Sequence, residues 1–170
     1  GSWSFNPAVS AYQDLAFAET KEITVNYSAT DNNKASAANQ FVITVTGTND
    51  APVATFSAAQ DATEDASTIS GQLTSTDADT NDTVSYELVG AEIPGLTINL
   101  KGSWSFDPTD IAYQNLAAGE KEAFTVNYSA TDNNGASAAN QFVITVTGSN
   151  DAPVATFSEA QTATEDAVAI

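Results

Sequence analysis

Carboxylates are the only side chains in this sequence suited to holding a metal or moving a proton near neutral pH. The 170 residues include no Cys, His or Met. That removes the thiolate nucleophile, the imidazole base and the usual zinc, haem and iron–sulfur sites. Asp and Glu number 22 against four basic residues, all lysines (Lys21, Lys34, Lys101 and Lys121), for a net charge of −18. A chain this acidic is repelled by phosphate backbones and anionic membranes, so nucleic acid and direct membrane insertion are not expected partners. The remaining ligands are carboxylates, side-chain amides and backbone carbonyls. These are hard oxygen donors, suited to Ca²⁺ or Mg²⁺. Their densest run is Asp77-Ala78-Asp79-Thr80-Asn81-Asp82. The first, third and fifth positions match a helix–loop–helix calcium loop, but Asp82 stands where the turn requires Gly and Leu88 where a bidentate Glu is required. An isolated Asp-x-Asp is equally an ordinary solvated turn, so its meaning depends on what lies around it.

The elements that position this run follow from an internal repeat. Gly1-Ser2-Trp3-Ser4-Phe5 returns as Gly102-Ser103-Trp104-Ser105-Phe106, and Phe41–Gly47 returns as Phe142–Gly148. Thr63-Glu64-Asp65-Ala66 returns as Thr164-Glu165-Asp166-Ala167, and the offset is 101 throughout. The chain is therefore a window on a tandem array. A period near 100 is too long for a helical solenoid and suits one immunoglobulin-like β-sandwich. Val84–Leu88, Phe124–Ala130 and Phe142–Val146 alternate apolar and polar residues, as half-buried strands do. Strands are predicted near 53–57, 67–75, 83–89, 96–100, 103–106, 122–130 and 140–147. A short helix is predicted over 108–117, with Asp107 as cap, Pro108 in the first turn, and Ile111 and Leu116 facing inward. Trp104 and Phe106 are expected core anchors. No apolar run approaches the ~18 residues of a membrane span, and the first residues lack a signal-peptide pattern.

Asn49-Asp50-Ala51-Pro52 and Asn150-Asp151-Ala152-Pro153 each follow a strand ending near a Gly, and each carries a stiffening Pro. They divide the chain into the C-terminal part of one repeat (1–48), a linker (49–51), one complete repeat (52–149), and a linker with the first strands of the next (150–170). Residues 1–48 are then half a sandwich with an uncovered apolar face. Connectivity favours 53–101 closing on 102–148. Strand exchange of segment 1–48 with the 152–170 tail of a neighbouring molecule is the expected resolution.

In an immunoglobulin-like topology, loops 77–82 and 131–134 lie at the end where the chain enters the domain. The linker 49–51 lies there too. Asp50, Asp77, Asp79 and Asp132 are therefore expected to converge, and their repulsion calls for a cation. Asn49 or Asn81 amide oxygens and backbone carbonyls complete a set of six to eight oxygens, which suits Ca²⁺ better than Mg²⁺. Asp107 and Asp110 read instead as helix-start acids.

The order of Thr63-Glu64-Asp65-Ala66, Ile69-Ser70-Gly71-Gln72-Leu73, Asp77-Ala78-Asp79, Gly102–Phe106, Leu116–Glu120, Ala130–Gly135 and Val146–Val154 resembles the VCBS-type, cadherin-like repeats of large bacterial adhesins. The resemblance covers 62–154. It implies an all-β, Greek-key, cadherin-like sandwich in tandem, in the extender region of an RTX-type adhesin at the bacterial cell surface, a setting of cell adhesion and biofilm. By the same resemblance, Asp77 and Asp79, Asp132, and Asn49 with Asp50 match the three calcium-sharing segments of cadherin linkers. Glu64 and Glu120 match acids that face the following linker, here Asn150 and Asp151. The chain lacks the cadherin Asp-Arg-Glu triplet and its linker is shorter. The implied function is a non-enzymatic spacer rigidified by Ca²⁺ at domain junctions, with neighbouring repeats as partners. The alternative is an immunoglobulin-like module binding a glycan or a surface protein. A glycosidase would require paired carboxylates in an apolar cleft, which nothing in the sequence provides.

Overall fold

The computed structural model describes residues 1–156 together with 159, 160, 162, 164 and 165. The first strands expected of the next repeat, and the return of Glu64-Asp65-Ala66 at 165–167, fall largely outside the described residues. Eleven strands follow in order: β1 (Thr20–Thr30), β2 (Ser36–Thr46), β3 (Val53–Ala54), β4 (Gln60–Thr63), β5 (Ile69–Gln72), β6 (Ser75–Thr76), β7 (Val84–Leu88), β8 (Leu96–Ile98), β9 (Ser103–Phe106), β10 (Lys121–Asp132) and β11 (Ser137–Thr147). The fold is all-β, and among the described residues the helical structure is a single 3-10 turn at Ser10–Tyr12.

The long hairpin β10–β11 is the spine. Its alternating Phe124, Val126, Tyr128 and Ala130 face Phe142, Ile144 and Val146 across an antiparallel register that pairs Val126 with Phe142. Strand β7 adds antiparallel to β10 and β4 adds parallel to β11, giving the sheet order β4-β11-β10-β7. The facing sheet is β5-β9-β8, and β3 pairs with β6 beside it. Between the sheets lie Leu73, Trp104, Phe106, Tyr113, Val126, Tyr128, Phe142, Ile144 and Val146. Trp104 and Phe106 take the anchoring role expected of them. Phe56 packs on both Trp104 and Phe142, with ring centroids 6.2 and 5.2 Å away. Gly71 is required opposite Trp104, because a Cβ there would sit 2.6 Å from the indole ring.

Three expectations need correction. The stretch 67–75 is two strands, β5 and β6, broken where Leu73 turns into the core and its N–H meets the Gly102 carbonyl. Strand β4 was not anticipated. Its sequence, Gln-Asp-Ala-Thr, carries no large apolar residue, and only its bonding to β11 defines it. Residues 108–117 form successive turns rather than a helix. Asp107 and Asp110 accept N–H bonds from Thr109 and Ala112, two residues on, and this local bonding competes with a helical ladder. Ile111 points outward at 86% exposure, and Tyr113 fills the core instead, its hydroxyl donating to the Pro94 carbonyl.

Strands β1 and β2 repeat β10 and β11 in the same register, Val25 opposite Phe41. They pair only with each other among the described residues. Every strand between 53 and 106 that joins the long sheet does so on β10 or β11, and none does so on β1 or β2.

Candidate metal centre

At the upstream end of the sandwich, three chain segments meet. The first is the turn that closes β10 onto β11. Asp132 is 5% exposed, and its Oδ1 accepts the N–H groups of Asn134 and Ala136 at 2.8 and 2.9 Å. Gly135 takes a left-handed φ of 94° there, which Gly adopts without strain. The second segment is the linker, whose Asn49 Nδ2 donates to Asp132 Oδ2 at 2.9 Å. The third is loop 77–82. Asp77 Oδ1 accepts the Asp79 N–H at 3.1 Å, and Asp79 Oδ2 accepts the Asp50 N–H at 2.8 Å. Two further bonds stitch loop to turn: Thr83 N–H to Asn133 Oδ1 at 2.8 Å and Asn134 Nδ2 to Asp82 Oδ2 at 3.1 Å.

This arrangement brings one carboxylate oxygen each of Asp77, Asp82 and Asp132 within 4.8 Å of one another. At that spacing each like-charge pair repels by roughly 3 kcal/mol at an effective dielectric of ~20, less where water screens it. Burial would raise the Asp132 carboxyl, but the donors from Asn49 and the backbone of Ala136, Asn134 and Gly135 outweigh it and hold it below its ordinary value. Asp132 therefore stays an anion.

The buried polar atoms without a hydrogen-bond partner test whether a cation suits the site. They are Asn49 Oδ1, Asp77 Oδ2, Asp79 Oδ1 and Glu64 Oε1, plus the nitrogens of Trp104 and Gln114. All four oxygens belong to residues that the sequence put forward as ligands, and three stand at the upstream end. A buried carboxylate or amide oxygen left unpartnered is costly. A hard cation satisfies such oxygens and leaves nitrogen donors unaffected. The donor set at this end is all oxygen and suits Ca²⁺.

Not every expected residue joins the group. Asp50 contributes its backbone N–H to Asp79, and its carboxylate is not among the three that converge. Asn81 is exposed with φ 68° at the tip of the loop, and Asp82 turns inward beside it. Asp82 went unselected in the sequence because the failed helix–loop–helix reading treated it only as a missing Gly. The preceding unit also reaches this end. The Thr80 N–H donates to the Asp14 carbonyl at 3.2 Å. A cleft is lined from one side by Phe17 and Glu19 and from the other by Asn81, Asp82, Asn133 and Asn134. Glu19 is the repeat equivalent of Glu120, and that offset of 101 was the signal by which it could have been found.

The downstream end is less assembled. Glu64 is 1% exposed, with Oε2 accepting the Ser149 N–H at 2.9 Å. Ser149 Oγ meets Asp65 Oδ2 at 3.1 Å. Glu120 is exposed and accepts the Ala117 N–H at 2.9 Å. Asn150 and Asp151 are exposed as well. Among the described residues no hydrogen bond joins Glu64 to Glu120, Asn150 or Asp151.

Residues 49–146 match the family model of the bacterial Ig domain. No curated protein matches the chain. In structure the chain is similar to protocadherin gamma B7 extracellular cadherin domains 1–4, with TM-score 0.56 at 15% identity over 78% of this chain and 33% of that one. It is also similar to mouse cadherin-23 domains EC22–24, with TM-score 0.52 at 21% identity over 79% of this chain and 44% of that one. The chain thus spans between a third and a half of these neighbours, and at such identities the likeness concerns the fold.

Proposed function

The chain belongs to the bacterial Ig domain family, and on that premise we propose that it is an extender segment of a bacterial surface adhesin, stiffened by Ca²⁺ where one repeat meets the next. The observation that carries this reading is the convergence of Asp77, Asp82 and Asp132 beside the linker, with the unpartnered oxygens of Asn49, Asp77 and Asp79 buried in the same place. A bound Ca²⁺ supplies positive charge that cancels the carboxylate repulsion. The residues that would hold it are Asp77, Asp79, Asp82 and Asp132 from the domain and Asn49 from the linker. Glu19 is the carboxylate available from the preceding unit across the cleft. Binding to the folded form alone adds to folding stability, and ligands drawn from both sides of a junction resist its bending. The cadherin-like fold supports an extracellular, non-enzymatic role. No described helix is long and apolar enough to cross a membrane.

The experiment is a Ca²⁺ titration read by thermal melting and small-angle X-ray scattering. The expected result is a rise in Tm and a narrower, longer distance distribution with Ca²⁺, both reversed by chelator. The double variant Asp77→Asn with Asp79→Asn should behave like the chelated protein. An unchanged Tm and unchanged scattering across the titration would overturn the reading.

A further inference from the structure

We propose that the open face of residues 1–48 is a docking surface for a second copy of this chain, which seats its residues 154–165 there and links molecules head to tail. The face is the repeat equivalent of a core. Trp3 is 65% and Tyr27 48% exposed, whereas Trp104 and Tyr128 at the matching positions are 2% and 0% exposed. The geometry is already that of the closed domain: Trp3 stacks against Phe41 with centroids 5.1 Å apart, as Trp104 does against Phe142 at 5.2 Å. Phe5 meets Tyr12 at 5.5 Å, as Phe106 meets Tyr113 at 5.3 Å. Beside them an open depression is lined by Asn26, Tyr27, Ser28, Ala38, Asn39 and Gln40.

The complete domain shows what such a face accepts. There, Phe56 covers the Trp104–Phe142 pair. Tyr128 Oη donates to the Phe56 carbonyl at 2.8 Å, and Asn140 Nδ2 donates to the Ala54 carbonyl at 2.9 Å. Strand β4 adds parallel along Ile144–Thr147. Each receiving residue is kept in the first unit, as Trp3, Phe41, Tyr27, Asn39, Ile43 and Thr46. The inserting segment is kept as well: 154–165 repeats 53–64 with two changes, at Glu159 and Thr162. Phe157 stands where Phe56 does, and Gln161-Thr162-Ala163-Thr164 where β4 does.

Reach decides that the segment comes from another molecule. Ser149 lies at the downstream end of the complete domain, near Glu64, while residues 1–48 lie beyond its upstream end. The domain is about 40 Å long, from the rise of a twelve-residue strand. Twelve residues, from 149 to 161, span at most about 40 Å fully extended. They would be used up in crossing the domain, short of Ile43 in the middle of the first unit. Docking in trans is heterologous, with different surfaces on the two partners, so it propagates rather than closing into a pair.

Sedimentation velocity over a concentration series in chelator tests this independently of any calcium effect. The unsubstituted chain is expected to grow beyond monomer as concentration rises. Phe157→Asp spoils the tail, which lies outside the core of the 52–149 domain, and Phe41→Asp spoils the face. Each variant alone should remain monomeric. Their equimolar mixture should give a heterodimer and nothing larger, since one intact face meets one intact tail. A chain that stays monomeric throughout overturns the proposal. So does association by Phe157→Asp alone, which would mean that two open faces pair with each other, and so does a mixture that fails to recover association. If Phe41→Asp disorders the hairpin, a synthetic peptide of residues 152–170 replaces it. That peptide should shift the Trp3 fluorescence of the Phe157→Asp chain, and no shift counts against the proposal.

Discussion

Asp132 does two jobs that different substitutions separate. Its Oδ1 organises the β10–β11 turn and its Oδ2 ties down the linker through Asn49. Asp132→Ala should lose roughly 2–3 kcal/mol, since hydrogen bonds to a charged acceptor go and buried donors are left behind. Chemical denaturation in chelator measures this. The folded pKa of Asp132 is lowered, so its contribution is fully present above the ordinary value of 3.8 and fades as pH falls through the lower folded value. Asp132→Asn should therefore flatten the acid limb of a stability–pH curve relative to the unsubstituted chain. Tyr113 gives the opposite limb. Burial first, then the charges of Asp110 and Glu122, push its hydroxyl up to about 12 from 10.0. The neutral form is favoured by folding, so stability holds below pH 10 and declines between there and about 12. Tyr113→Phe should abolish that decline while costing about 1 kcal/mol for the bond to Pro94.

The same local structure sits at both repeats, and its energetic weight differs with what covers it. Gly148 donates to the Glu120 carbonyl at 2.8 Å, as Gly47 does to that of Glu19. A Cβ at either position would lie 2.3 Å from a backbone oxygen, Ala117 in one case and Leu15 or Ala16 in the other. Gly148→Ala should cost the domain roughly 1–3 kcal/mol through forced backbone movement. Gly47→Ala should leave the main melting transition within about 0.5 kcal/mol, because residues 1–48 stand outside that cooperative unit. Calorimetry on the two variants compares them directly. At this scale the long strands were legible from alternation, since Phe124–Ala130 and Phe142–Val146 carry large residues at every second position. Strand β4 was not, because its residues are small or polar. The 108–117 stretch misled because Ile111 has the apolar character of a core residue, yet the turns set by Asp107 and Asp110 rotate Tyr113 inward instead.

Across the molecule, the charge of −18 makes cation supply and ionic strength part of the structure. In chelator, added NaCl should raise Tm, since it screens the carboxylates with a Debye length of about 10 Å at 0.1 M. With Ca²⁺ bound at the upstream end the same salt increment should be smaller, because the closest repulsions are already neutralised. Thermal melting across a salt series, with and without Ca²⁺, reads the difference. Equal salt slopes in the two conditions would place the repulsion elsewhere on the surface.

The sequence by itself determined the repeat, the all-β class and the chemistry available. The 101-residue offset is visible in identical segments, strand alternation is a local pattern, and the absence of Cys and His leaves only oxygen ligands. It also named Asp77, Asp79, Asp132 and Asn49, because loop order in a sandwich fixes which loops share an end. Only the tertiary structure decided that Asp82 turns inward while Asn81 does not, that Asp50 acts through its backbone, and that Glu64 is buried with one oxygen unpartnered. These are questions of side-chain direction at turns, where a single residue's φ/ψ sends neighbouring side chains to opposite sides. No periodicity in the sequence encodes that choice.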